Sequence, residues 1–238
     1  MRIAAVGDVH GHTHLDAFRR DLEGLAPVDL FLLAGDTTDR NDFEAFGAVL
    51  EGIRGHVDAP IWAVFGNNEY AEDHPAYVER YAAAFGVRFL QDEAATFDAG
   101  GTSVQVVGSL GSLDRPTWWQ RKNRPHYADE YRRRVTILDG LLAGEGPRIL
   151  LTHYPPTWAT MGGEKEEWRP ELGSRALETV LFRRRPTIVV HGHIHKGIPY
   201  AELRPRFDRI DDFASPSVPI PVHNVAYPVR GSITTLDL

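Results

Sequence analysis

Residues 30 to 36 read Leu30-Phe31-Leu32-Leu33-Ala34-Gly35-Asp36, an apolar run that stops at a glycine and delivers a carboxylate. A run this short and this apolar has the length of a strand and the composition of one buried on both faces. Four other stretches repeat the pattern: IAAVGD over 3–8, IWAVFGN over 61–67, ILLTH over 149–153 and TIVVHGH over 187–193. Helical periodicity covers about 14–23, 42–54, 74–85, 127–142 and 174–184. Strands alternating with helices imply parallel βαβ units, an α/β fold whose ligands gather outside the carboxyl ends of the strands. All five runs place polar residues at that edge. Gly7, Gly35, Gly66 and Gly192 stand before the donors, where the chain must stop and turn the next side chain.

Other segments read differently. Thr96 to Val107 is predicted to form a hairpin through Gly100-Gly101. Residues 199–238 read as shorter strands with prolines at 216, 219, 221 and 228, an antiparallel component. The stretches 111–125 and 161–173 are expected to be long loops flanking the site.

With 238 residues, 42% hydrophobic and 25% charged, the chain is predicted to fold as a single domain over 1–238. Its net charge of -7 disfavours bulk nucleic-acid binding. The absence of cysteine removes disulfides and thiolate ligands, leaving His, Asp, Glu and Asn for any metal. The opening apolar run is too short for a signal-peptide core, and no run reaches the roughly 20 residues of a membrane span, so a cytoplasmic protein with no membrane partner is expected.

The strand ends supply Asp8 and His10, Asp36, Asn67, His153, and His193 with His195. One zinc-like ion takes about four ligands, so seven donors suit two ions sharing a bridging carboxylate. Such a pair, roughly 3.5–4 Å apart, holds a bridging hydroxide for in-line attack at phosphorus. Two carboxylates and one hydroxide against two divalent ions leave about one positive charge to attract a phosphate ester.

The ordered motifs GDVH, GDTTDR, GNNE, THYPP and GHIH, running from residue 7 to 195, resemble the calcineurin-like metallophosphoesterase superfamily. The resemblance implies a four-layer α/β/β/α sandwich with two mixed central sheets flanked by helices. It assigns Asp8, His10, Asp36 and His195 to one ion and Asp36, Asn67, His153 and His193 to the other. It implies two divalent ions, Mn, Fe, Zn or Ni with Mn favoured, and a small phosphoester as substrate. The family usually has His where Asn68 stands, paired with a carboxylate resembling Asp39, to protonate the leaving oxygen. Arg40 resembles a phosphate-binding arginine of the same motif. An amide at 68 can stabilise charge but cannot donate a proton usefully near neutral pH. Phosphodiesters or esters with good leaving groups are therefore expected as substrates over alkyl monoesters, with His12, His14, His126 and His223 as candidates to meet any proton demand. Two alternatives stand beside this reading. A nuclease of the same superfamily would use Trp118, Trp119, Arg121, Lys122 and Arg124 to stack a base and hold a phosphate. A non-catalytic scaffold would keep the fold and bind a protein partner.

Overall fold

The computed structural model describes residues 1–204 and 218–238. Along the described residues the chain runs β1 (Arg2–Val6), α1 (Leu15–Glu23), β2 (Leu30–Ala34), α2 (Phe43–Arg54), β3 (Ile61–Val64), α3 (His74–Phe85) and β4 (Val87–Phe89). It continues through β5 (Glu93–Ala99), β6 (Thr102–Ser109), α4 (Trp118–Asn123), α5 (Tyr127–Leu141), β7 (Arg148–Thr152), α6 (Arg175–Arg184) and β8 (Ile188–His191). It ends with β9 (Tyr200–Leu203), β10 (Ile220–Asn224), α7 (Tyr227–Arg230) and β11 (Thr234–Asp237).

The strands form two sheets, one ordered β11-β1-β2-β3-β4 and the other β5-β6-β7-β8-β10-β9. Both are mixed: β1 to β4 run parallel with β11 antiparallel at one edge, and β6, β7, β8 and β10 run parallel between antiparallel β5 and β9. The predicted hairpin is present as β5 and β6 around Gly100-Gly101. The expected antiparallel character of 199–238 holds for β9 and β11. It holds on one side of β10, which pairs antiparallel with β9, while its other side pairs parallel with β8 in the register Val222 to Val189. Pro216 lies outside the described residues.

Strand alternation sorts the side chains into layers. Ile3, Ala5, Leu30, Leu32, Trp62 and Val64 point from the first sheet towards Val104, Val106, Ile149, Leu151 and Val190 of the second. The alternate residues Ala4, Val6, Phe31, Leu33 and Ala63 turn the other way, onto Phe18, Leu22, Phe46, Leu50 and Tyr77 of α1 to α3. Val107, Leu150, Val189 and Val222 pack outward onto Leu138, Leu177 and Leu181 of α5 and α6. The result is helices, sheet, sheet, helices. Each central strand is buried on both faces, which is why the runs read as continuously apolar.

Helix starts are fixed locally. Asp42 caps α2 by accepting from the Ala45 amide at 3.0 Å, and Ser174 caps α6 through the Leu177 amide at 3.2 Å. The expected loop over 111–125 contains α4, closed by reciprocal bonds in which Thr117 Oγ1 accepts from the Gln120 amide and Gln120 Oε1 from the Thr117 amide. The Thr-Trp-Trp-Gln sequence carries that signature. The 161–173 segment holds a short 3-10 turn over Glu166–Glu171 and is tied to 111–125 where Arg115 N donates to Pro170 O and Asp114 N to Gly173 O.

Candidate metal centre

The donors lie beyond the ends of β1, β2, β3, β7 and β8, and their backbone is unusual. Asp8, His10, Asp36 and His193 adopt φ of 55°, 50°, 47° and 71°. Left-handed backbone is uncommon outside glycine and persists where surroundings fix it. Here the turns hold each other: Asp8 N donates to Gly35 O at 2.9 Å, His10 N to Asp36 O at 3.1 Å, and Gly192 N to His153 O at 3.2 Å. Two glycines let backbone press against the carboxylates. A Cβ on Gly66 would stand 2.2 Å from Asp36 Oδ1, and one on Gly192 2.3 Å from Asp8 Oδ2.

Two donor sets result, Asp8 with His10 and His195, and Asp36 with His153 and His193. In the first, His195 Nε2 is 2.9 Å from Asp8 Oδ1 and 3.3 Å from His10 Nε2, which is itself 3.8 Å from Asp8 Oδ1. In the second, His153 Nε2 is 3.5 Å from Asp36 Oδ1 and 3.1 Å from Asn67 Oδ1. Ligands at about 2.0–2.2 Å from one ion stand about 3–4 Å from each other, so these separations suit shared coordination.

The tautomers sharpen the fit. His153 Nδ1 donates to the Ala34 carbonyl at 3.0 Å, which leaves a lone pair on Nε2 facing two oxygens. His10 Nδ1 donates to Asp39 Oδ1 at 2.9 Å, which likewise turns the Nε2 lone pair towards His195 and Asp8. Such a carboxylate or carbonyl behind a ligating histidine fixes its ring and tautomer. Lone pairs converging on one point repel unless a cation lies between them. The residues therefore fit a pair of divalent ions with oxygen and nitrogen ligands.

Charge points the same way. Burial, and then Asp8, push Asp36 up to about 7; burial, and then Asp36, push Glu69 up to about 7. Burial would also raise Asp8, but the His195 hydrogen bond, the His153 and His195 charges and the His193 amide together bring it below its ordinary value. Burial lowers His153 and takes His193 well below the usual imidazole range, which favours the neutral rings, whereas the hydrogen bond to Asp8 raises His195. Two buried carboxylates beside imidazole nitrogens are a seat for positive charge.

A calcineurin-like phosphoesterase family model matches residues 1–197. The chain belongs to the calcineurin-like phosphoesterase family. This calcineurin-like phosphoesterase is 23% identical over 232 residues to purple acid phosphatase 21 of Arabidopsis thaliana, across 91% of this chain and 48% of that protein, so it spans about half that relative's length. Its fold is similar to that of phosphopantetheinyl hydrolase from Mycobacterium tuberculosis, with a TM-score of 0.67 and 16% identity over 96% of this chain and 90% of that one. GAP50, the anchor in the inner membrane complex of Plasmodium, has a TM-score of 0.56 and 14% identity over 96% of this chain and 72% of that one.

In this calcineurin-like phosphoesterase, Asn68 is engaged at both ends of its amide. Its Nδ2 donates to Asp36 Oδ2 at 2.7 Å, its backbone N to Asp36 Oδ1 at 2.8 Å, and its Oδ1 accepts from Arg40 N at 3.1 Å. The Asp39 carboxylate accepts from His10 Nδ1. Arg40 is exposed, in left-handed backbone with φ 48°. Among the proton-donor candidates, His14 stands near enough to His10 and His195 for their charges to lower its pKa, after burial. His12 is exposed beside Asp42, His126 lies by Glu130, and His223 packs on Tyr200. None of these three is brought to the donor sets.

Glu69 is the residue that sequence reading passed over. Buried at the end of GNNE, its Oε2 accepts from Gly66 N at 2.7 Å and Asp36 N at 3.1 Å, and its Oε1 from Thr38 N at 3.0 Å. It clasps the turns after β2 and β3 together. The only signal for it was an acid immediately after two donor-type amides. No helix among the described residues is long and apolar enough to cross a membrane.

Proposed function

We propose that this chain is a dinuclear-metal-dependent phosphoester hydrolase that favours phosphodiesters, and esters with good leaving groups, over alkyl monoesters. The observation that carries the reading is the pair of donor sets, each an aspartate with two histidines, whose ligand atoms lie within 4.8 Å of one another. One ion would be held by Asp8, His10, His195 and Asp36, the other by Asp36, Asn67, His153 and His193. When bound, such a pair makes water a nucleophile at neutral pH and neutralises charge growing on the phosphoryl oxygens.

The protein's own residues prepare that site. Asp39 and the Ala34 carbonyl keep protons on the far nitrogens of His10 and His153, so the near nitrogens stay available. Glu69 fixes the turns that present Asp36 and Asn67. Arg40 offers a guanidinium fork to the oxygens of a phosphoester that do not react. Asn68 orients Asp36 and has no proton to give, which favours a leaving oxygen that departs as a stable anion.

The test is metal content together with a substrate panel under Mn, Fe, Zn and Ni. About two ions per chain are expected, with Mn the first to try, and aryl diesters hydrolysed at least about tenfold faster than alkyl monoesters. Asn68→His is expected to raise the alkyl rate selectively. Equal aryl and alkyl rates in the wild type would overturn the leaving-group preference, and fewer than two ions without hydrolysis would leave a scaffold.

A further inference from the structure

Beyond the last donor motif, which ends at His195, the chain comes back to the donor turns once more. β10 closes on Asn224, whose side chain is fully buried. A polar group buried to this degree needs a partner at each end. Its Oδ1 accepts from Ala226 N at 3.2 Å, and its Nδ2 donates to Ile194 O at 2.8 Å. The Ala226 N–H can only donate, so the amide has one orientation, with its NH₂ against the Ile194 carbonyl. The backbone of Asn224 is fixed as well: its N donates to Pro199 O at 3.1 Å, and its O accepts from Arg230 Nε at 2.8 Å.

The Ile194 carbonyl belongs to the peptide that leads into His195. Among the described residues, the bond from Asn224 is the only hydrogen bond that the Ile194–His195 peptide makes. The His195 side chain is 41% exposed, so packing holds its ring only in part. A shift of that peptide would carry His195 Nε2 away from Asp8 Oδ1, now 2.9 Å distant. His193 is anchored independently. Its N donates to Asp8 Oδ2 at 2.8 Å, and the residues on either side of it are tied by Gly192 N to His153 O at 3.2 Å and by Ile194 N to Gly192 O at 2.9 Å.

The residues after Asn224 reach the other member of the same donor set. Val225 N donates to His191 O at 2.8 Å, Gly7 N to Val225 O at 3.0 Å, and Tyr227 N to Gly7 O at 2.8 Å. Gly7 immediately precedes Asp8. Residues 224–227 therefore bracket the turn that presents Asp8, from the first sheet, to the turn that presents His195, from the second. The set of Asp36, His153 and His193 is joined across the sheets by a different bond, His153 Nδ1 to Ala34 O at 3.0 Å.

We propose that Asn224 is a positioning residue for His195: its amide holds the site of Asp8, His10 and His195 in shape and leaves the site of Asp36, His153 and His193 unaffected. This rests on reading the two donor sets as two metal sites. Groups behind a metal ligand set its orientation, and losing one weakens metal binding about 10- to 100-fold.

The test is titration of the purified chain, stripped with chelator, with Mn(II), the free ion being counted by its paramagnetic resonance signal. Wild type is expected to bind two ions. Asn224→Leu is expected to bind one ion as wild type does and the other about tenfold or more weakly. Asn224→Ser is the milder variant, because a hydroxyl can still accept from an amide two residues on but is too short to reach Ile194 O; the same split is expected. In a His195→Ala background, where that site is already weakened, Asn224→Leu is expected to add nothing. Two unchanged steps, two steps weakened alike, or full additivity with His195→Ala would each overturn the proposal. A wild type that binds fewer than two ions overturns the dinuclear reading and the proposal with it. Two ions bound and the split observed, with no phosphoester hydrolysed, would refute the hydrolase reading and leave the role of Asn224 standing.

Discussion

Glu69 receives three backbone N–H groups and gives none back, so its role depends on being an acceptor at both oxygens. Glu69→Gln keeps the shape but turns an NH₂ onto at least one donor. The expected cost is roughly 2–4 kcal/mol in denaturant unfolding, with weaker metal binding, because one buried N–H loses its partner. Unfolding at the wild-type midpoint would show that the clasp does not hold the turns. Asp8, Asp36, Asn67, His153 and His193 were legible as candidates because each closes an apolar run, and His10 and His195 because each stands two residues beyond such a donor. Glu69 was not, because two of its three partners, Asp36 and Thr38, are amides from a turn about thirty residues away. The contact of Asp39 with His10 was hidden in the same way, since the two residues stand 29 positions apart in the chain.

Within the elements, β10 shows what periodicity leaves out. The boundaries of α1, α2, α3, α5 and α6 fall within a residue or so of the helical stretches read from sequence, because their apolar spacing and caps are local. Strand pairing is not local: no pattern in 199–238 encodes that β10, antiparallel to β9 on one side, lies parallel to β8 on the other. The same strand carries a pH-sensitive side chain. His223 packs against Tyr200, its Nδ1 is buried with no partner, and burial, followed by Arg230, pushes its pKa from 6.5 down to about 4. As pH falls the unfolded chain therefore takes up the proton first. This contribution to stability is intact above about 6.5 and is lost between there and about 4. His223→Phe is expected to reduce the fall in Tm between those values and to change Tm at pH 8 little. Parallel Tm profiles for the two proteins would count against it.

Across the whole molecule, the centre joins the two sheets. Asp8, His10, Asp36 and Asn67 follow strands of the first, and His153, His193 and His195 follow strands of the second. Bound ions would bridge the layers as well as serve chemistry. Chelation is therefore expected to lower Tm on the order of 5–10 °C, and restoring excess divalent cation to recover it. A Tm unmoved by chelation, with ions demonstrably removed, would refute that coupling. The two-sheet arrangement came from the motif resemblance and not from periodicity, since strands of either sheet are apolar on both faces and look alike in sequence. The spacing of the donors along the chain has a consequence for synthesis. The first-sheet members of each set are in place by residue 67, and their counterparts arrive only between residues 153 and 195. A polypeptide still emerging from the ribosome, or one cut short before that second group, would hold only part of each donor set.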